Sequence, residues 1–204
     1  MPLITEGVYV RCDDSNYEAE TTYYLNFQIL SALASLDRLN NYDDRFLWEN
    51  RCQYYHYYCD HLLYSIGQIS NRFIINPNEK DRLLKERKQL NRANYQFSET
   101  NYPILSDKNA RNTIEHIDEH NQNIISKKHG VGGFNLIDSE TDMVLIKELR
   151  SRRETHIYTL DLLKKELLIH RKGKDITISL ESLHNELLQL QNNVKAFQCL
   201  VSNY

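Results

Sequence analysis

The stretch "YHYYCDHLLYSIGQISNRF", residues 55–73, carries the clearest structural signal in the chain. Its apolar residues recur at alternating intervals of four and three, the period of a helix that packs lengthwise against other helices. The residues on this stripe are Tyr55, Cys59, Leu62, Ile66, Ile69 and Phe73. The spacing predicts a helix over about residues 43–73, and so long a helix needs helical neighbours to cover its apolar face.

Three further helices are predicted around this one. The first should span about residues 18–40 and bury a single apolar face made of Tyr24, Phe27, Leu30 and Ala34. Pro77 ends the long helix, and Asn78 is a suitable N-cap for the third because its side chain can accept a backbone N–H. The fourth should begin near Ser106. Four helices with short connections predict a mainly α fold, an up-and-down bundle.

The character of the sequence changes after His129, where "GVGG" interrupts the helical pattern. A β hairpin or small meander is predicted, with strands near residues 166–171 and 176–180 and a turn at Lys172–Lys174. The chain then ends in a helix with the apolar stripe Leu183, Leu187, Leu190, Val194, Phe197 and Val201. The sequence therefore divides into a helical bundle at residues 1–129 and a β-containing section at residues 130–204 that packs on the bundle.

Composition narrows the class of protein. The 204 residues carry a net charge of −3, which does not suit a generally basic nucleic-acid binder, although three basic clusters lie at residues 85–88, 127–129 and 150–153. No run of about 18 apolar residues is present, and the first residues lack a secretory leader. The four cysteines form no C-x-x-C pair and are expected to be buried thiols. We therefore expect a cytoplasmic protein without a membrane partner.

The stretch "ARNTIEHIDEH", residues 110–120, contains two overlapping motifs within the predicted fourth helix. "HIDEH" matches the H-x-x-E-H pattern of inverted zinc peptidases, with His116 and His120 as metal ligands and Glu119 as the base. A third ligand would have to come from a downstream residue such as Glu181 or Glu186. Those peptidases are much larger than this chain, so a metal-dependent hydrolase is the third of three hypotheses.

The second motif is R-N-x-x-x-H, formed by Arg111, Asn112 and His116. An arginine followed after four to six residues by a histidine occurs three times, and the other copies are Arg51/His56 and Arg150/His156. Only the copy at Arg111 has an asparagine after the arginine and lies on the predicted late helix. A helical bundle with this motif on its last helix resembles the HEPN superfamily (higher eukaryotes and prokaryotes nucleotide-binding). The resemblance covers about residues 18–128.

The resemblance implies a metal-independent endoribonuclease of the toxin–antitoxin or defence type, with no cofactor. His116 would take the proton from a ribose 2′-hydroxyl, and Arg111 would hold the scissile phosphate. Asn112 would orient the histidine or the phosphate by a hydrogen bond. Lys127 and Lys128 would bind RNA phosphates. On an ideal helix Arg111 lies about 140° from His116, so a homodimer that combines two copies of the motif is expected. An antitoxin is a further expected partner.

The alternative is a HEPN-like protein that serves as a scaffold or interaction module without catalysis. The acidic net charge and the glutamates Glu115 and Glu119 beside the motif favour this reading, because carboxylates repel a phosphate. The tyrosine-rich stretch "QYYHYYCDHLLY", residues 53–64, suits a dimer or partner surface, since tyrosine is enriched at interfaces.

Overall fold

The computed structural model describes residues 15–41, 48–107, 134–151, 158–171 and 174–202. These residues form five helices and four strands. The helices are α1 (Ser15–Asn40), α2 (Trp48–Asn71), α3 (Arg82–Asn94), α4 (Glu140–Ser151) and α5 (Leu180–Ser202), and the strands are β1 (Phe134–Ile137), β2 (Tyr158–Asp161), β3 (Glu166–Arg171) and β4 (Lys174–Ser179). The fold is mainly helical with one small sheet, as predicted. The predicted fourth helix does not begin at Ser106, which lies in a turn at residues 103–106, and the rest of its predicted span falls outside the described residues, so the up-and-down connectivity stays a prediction.

Helices α1 and α2 pack against each other, and α5 packs on α1. The predicted stripe of α2 is buried, with Cys59, Leu62 and Ile69 all fully enclosed. The predicted stripe of α5 is buried as well at Leu183, Leu187, Leu190, Val194 and Phe197, and the side chain of its sixth residue, Val201, lies outside the description. Both helices therefore confirm the prediction from apolar periodicity. None of the described helices combines the length and the apolar character needed to cross a bilayer.

Helix α1 has nearly the predicted bounds, but the predicted buried face is wrong. Phe27 and Leu30 are more than half exposed, whereas a second stripe faces the core. That inner stripe consists of Leu25, Ile29, Ala32, Leu36 and Leu39. Both stripes follow the helical period, and the inner one is longer and almost wholly aliphatic, so its burial removes more apolar surface from water.

Helix α3 begins later than the sequence suggested. Its N-cap is Asp81, whose carboxylate accepts a hydrogen bond from the backbone N–H of Leu84 at 3.1 Å. Asn78 lies instead in the turn after Pro77, where its own N–H binds the side chain of Asn76. The predicted N-cap at Asn78 is therefore wrong, because the aspartate three residues before Leu84 satisfies the first turn of the helix.

The four strands form one sheet in the order β1-β2-β3-β4. The predicted hairpin is confirmed, since β3 and β4 pair antiparallel from Glu166–Ser179 to Arg171–Lys174. The second strand begins two residues earlier than predicted, so Lys174 belongs to β4 and not to the turn. The sequence did not indicate β1, which pairs parallel to β2, or α4, which lies between them. A parallel pair requires such a crossover connection. The start of α4 is held by Ser139 and Asp142, whose side chains hydrogen-bond at 2.6 Å.

One hydrophobic core joins the helices to the sheet. Leu36 of α1, Leu62 of α2, Leu160 of β2 and Leu187 of α5 belong to a single buried cluster. The β-containing section is therefore packed on the helices through shared core residues. The predicted division at residue 129 lies outside the described residues and stays a prediction.

The cysteines only partly follow the expectation of buried thiols. Cys59 is fully buried, and burial raises the pKa of its thiol well above the usual value. Cys52 and Cys199 are exposed, which corrects the prediction for those two positions. Each lies on the outward side of its helix, where a thiol is exposed without a cost to the core. Cys12 lies outside the described residues.

Candidate functional site

The predicted site residues lie between the described parts of the chain. Residues 108–133 are outside the description, and this span holds the two motifs and the two lysines. It contains Arg111, Asn112, Glu115, His116, Glu119, His120, Lys127 and Lys128. The structure does, however, show what holds the chain on each side of this span, and these two anchors define the candidate site.

The anchor before the span is a buried carboxylate on α5. Glu186 is 6% exposed, and its side chain accepts hydrogen bonds from the backbone N–H groups of Ile104 at 2.9 Å and Leu105 at 3.0 Å. Burial raises the pKa of Glu186, while the N–H groups of Leu105 and Ile104 oppose that rise. The chain is thus fixed to α5 six residues before Arg111.

A second bond ties the same turn to α2. The Ser70 hydroxyl donates to the carbonyl oxygen of Leu105 at 2.6 Å, near the C-terminal end of α2. Just upstream, the hydroxyl of Tyr102 accepts a hydrogen bond from the side-chain amide of Asn193 on α5 at 2.8 Å. The turn at residues 102–106 is therefore held by two helices, and its backbone cannot shift without breaking buried hydrogen bonds.

The anchor after the span is an aromatic contact with the middle of α2. Phe134, the first residue of β1, stacks on His56 with ring centroids 5.1 Å apart and planes 5° apart. Ser70 and His56 lie fourteen residues apart on one helix, which corresponds to about 20 Å. The two ends of the span are therefore fixed to the same helix, about 20 Å from each other.

One of the competing arginine–histidine pairs, Arg51/His56, is fully described. The Arg51 guanidinium lies 2.6 Å from the carboxylate of Asp138, the residue that directly follows β1, and both side chains are mostly buried. Burial and the neighbouring Asp142 raise the pKa of Asp138, whereas Arg51 lowers it. Asp138 therefore neutralises the charge of Arg51, and this ion pair joins α2 to the sheet. A phosphate would have to displace Asp138 to reach Arg51.

The histidine of this pair belongs to a second polar contact with the sheet. His56 Nε2 lies 3.4 Å from the Asp60 carboxylate, and Asp60 also accepts a short hydrogen bond from the hydroxyl of Tyr158 on β2. Burial of the Tyr158 ring, strengthened by the nearby Asp60 charge, raises the pKa of that hydroxyl. A histidine beside a carboxylate can act as a base, but here the carboxylate is shared with a structural tyrosine. This chain of contacts joins α2 to β1 and β2.

Metal ligands and cavities can be located only among the described residues. Among them, no three His, Cys, Asp or Glu side chains are grouped to hold a metal ion. A cavity lined by Phe73, Arg92 and Phe97, among others, has a volume of about 30 Å³, room for about one water molecule. The downstream ligand candidates are Glu181, which is exposed, and Glu186, which already binds two backbone N–H groups.

Sequence reasoning missed the anchors because they depend on tertiary contacts. Glu186 has the spacing of an ordinary polar helix position, and nothing near it in the sequence indicates Ile104 and Leu105 as its partners. The pair Ser139 and Asp142 did carry a signal, since serine followed three residues later by an acidic residue resembles the capping pattern at a helix start.

Comparison of the chain with family models, with curated proteins and with solved structures gave no match.

Proposed function

We propose that this protein is a HEPN-like, metal-independent endoribonuclease of the toxin or defence type. The observation that carries the proposal is the R-N-x-x-x-H motif of Arg111, Asn112 and His116. The mainly helical fold supports it, because a HEPN domain is a helical bundle. The contacts of Arg51 and His56 support it as well, since they engage one of the two competing copies in structural bonds, whereas Arg150/His156 lies outside the described side chains.

The reaction follows from the chemistry of these side chains. His116 removes the proton from a ribose 2′-hydroxyl, whose oxygen attacks the adjacent phosphorus. The bond from phosphorus to the 5′-oxygen breaks, and His116 returns the proton to that oxygen. Arg111 binds the charge that develops on the phosphate, and Asn112 orients the histidine or the phosphate by a hydrogen bond. The products are a 2′,3′-cyclic phosphate and a 5′-hydroxyl, and no metal or cofactor takes part.

The same proposal predicts which residues bind the RNA and which partners the protein has. Lys127 and Lys128 contact phosphates beside the cleaved bond, which offsets the repulsion by Glu115 and Glu119. Two copies of the chain combine their motifs, since Arg111 and His116 would lie about 140° apart on an ideal helix. A toxin of this kind acts in the cytoplasm and is neutralised by an antitoxin.

Expression in a bacterial host tests this proposal. We expect the wild type to slow growth and fragment RNA, whereas His116→Ala and Arg111→Ala leave growth and RNA intact. His120→Ala is the matched control, because His120 is a ligand only in the metal-hydrolase hypothesis. Loss of toxicity in His120→Ala together with retained toxicity in Arg111→Ala would contradict the ribonuclease and support the metal-dependent hydrolase with His116, Glu119 and His120.

The second candidate is a HEPN-like interaction or scaffold protein without catalysis. Exposed aromatic residues favour it: Tyr57 and Tyr64 on α2 are 56% and 57% exposed and lie on the outward side of the helix. Such rings supply apolar contact area together with a polar hydroxyl, which suits a partner surface. This candidate predicts normal growth and intact RNA for the wild type, together with a stable complex with a protein partner.

A further inference from the structure

Helix α1 carries an apolar stripe on the side that points away from the core. Tyr23 is 75% exposed, Phe27 58% and Leu30 56%, and Ala34 is exposed as well. By ideal helix geometry this outer stripe lies about 160° from the inner stripe that packs on α2 and α5. A surface helix normally presents polar residues there, so two apolar faces on one helix indicate that the outer one is covered in the assembled protein.

The spacing of the outer stripe is that of a helix–helix seam. Its residues follow one another at intervals of four, three and four, which matches a heptad pattern. An antiparallel second copy, centred between Phe27 and Leu30, places each of these two residues opposite the other. It also places the large Tyr23 ring opposite the small side chain of Ala34. The stripe is therefore complementary in size to its own reversed copy, as a two-fold interface requires.

The charges at the ends of the stripe are complementary in the same arrangement. Glu20 and Arg38 are both exposed, lie on the same edge of α1 and flank the stripe at opposite ends. In the antiparallel pair, Glu20 of one copy comes within about one residue of being level with Arg38 of the other. Arg38 also interacts with Tyr54, but a guanidinium has five N–H donors and can bind both groups. Two symmetric ion pairs therefore close the two ends of the seam.

Helix α2 runs antiparallel to α1, because the Tyr24 hydroxyl donates to Gln68 at 2.8 Å and the Tyr54 hydroxyl donates to the Arg38 carbonyl at 3.2 Å. This helix covers the inner side of α1 and leaves Tyr23, Phe27 and Leu30 exposed. The outer stripe is therefore open along its whole length to a second copy.

We propose that the outer stripe of α1 (Tyr23, Phe27, Leu30 and Ala34) is the interface of an antiparallel homodimer. The pairing is two-fold, with Phe27 against Leu30 at its centre and Glu20 against Arg38 at both ends. The inference goes beyond RNA cleavage and does not depend on it, since every residue that carries it lies on the described helices α1 and α2.

Sedimentation equilibrium of the full chain between about 1 and 100 μM tests the interface. The wild type should be a dimer, and Phe27→Glu should raise the dissociation constant at least about 100-fold, because two-fold symmetry places the new charge in the seam twice. Leu83→Glu is the matched control, since Leu83 on α3 is 54% exposed and lies away from the stripe. A monomeric wild type, or an equal effect of Leu83→Glu, would overturn the proposal.

A charge exchange tests the antiparallel arrangement and does not disturb the core. Glu20→Arg alone and Arg38→Glu alone should each weaken the dimer, because each places like charges at both ends of the seam. The double variant with both changes should restore the wild-type dissociation constant to within about threefold. Circular dichroism checks that all variants are folded. If they are, a double variant whose dissociation constant stays as high as that of the single variants would contradict the antiparallel pairing.

Discussion

Replacing Glu186 with alanine perturbs the bond that fixes the chain just before the proposed active-site motif. The change leaves the backbone N–H groups of Ile104 and Leu105 without their acceptor. A buried N–H group without a partner costs about 1–3 kcal/mol. Leu105 is buried and Ile104 is only partly buried, so water replaces part of the lost bonding at Ile104. We therefore expect Glu186→Ala to lower the free energy of unfolding by about 2–4 kcal/mol.

Urea denaturation at neutral pH measures this loss. Gln189→Ala is the control, because Gln189 is an exposed polar residue on the same helix and should change stability by less than about 0.5 kcal/mol. Hydrogen exchange gives the local reading, since the amides of Ile104 and Leu105 should exchange faster in Glu186→Ala. A loss no larger than that of the control, with unchanged exchange at both amides, would refute the role assigned to Glu186.

The same residue predicts a dependence of stability on pH. Because burial raises the pKa of Glu186 in the folded protein, its contribution is fully present below its unfolded pKa and is lost as pH rises through the folded pKa. In Glu186→Gln the side chain at this position cannot ionise, so the free energy of unfolding of this variant does not fall with pH for this reason. The free energy of unfolding of the wild type, minus that of Glu186→Gln, should therefore fall as pH rises from about 4 to 7. A difference that stays constant or grows would contradict the assignment.

Three smaller predictions follow from other contacts. Asp81→Ala should cost about 1 kcal/mol by removing the N-cap of α3, whereas Asn78→Ala should leave the urea midpoint unchanged, and the reverse order would contradict the cap assignment. Tyr158→Phe should cost about 1 kcal/mol in the same assay by removing the bond to Asp60, and no change would show that this bond contributes nothing. Burial raises the pKa of Tyr95 to about 12, so stability from this group should be lost as pH rises from about 10 to 12. The difference in absorbance at about 295 nm between the wild type and Tyr95→Phe measures this ionisation, and a transition of that difference near the ordinary tyrosine pKa would contradict the prediction.

The sequence predicted helices best where one apolar stripe dominates. The stripes of α2 and α5 are regular and single, so their buried faces could be identified from spacing alone. Helix α1 carries two stripes of the same period, and periodicity cannot rank them. The choice between Phe27 and Leu25 as the inward residue depends on which face the neighbouring helices cover.

Short elements and long-range contacts were beyond the reach of local patterns. Strand β1 has only four residues, and its pairing with β2 depends on a crossover that the alternation of residues does not show. For the candidate site, the sequence indicated the motif and its chemistry but not its anchors. Glu186 and Leu105 are 81 residues apart, so only the packing of α5 brings them together.

Cleavage of RNA by the purified chain in the presence of EDTA is the decisive assay for a metal-independent site at Arg111 and His116. We expect the wild type to cleave RNA in EDTA and to leave 2′,3′-cyclic phosphate ends, and we expect His116→Ala to lower the rate by about 100-fold or more. His120→Ala should cleave at the wild-type rate. Loss of cleavage in EDTA, or equal rates for the wild type and His116→Ala, would contradict a metal-independent site built on Arg111 and His116.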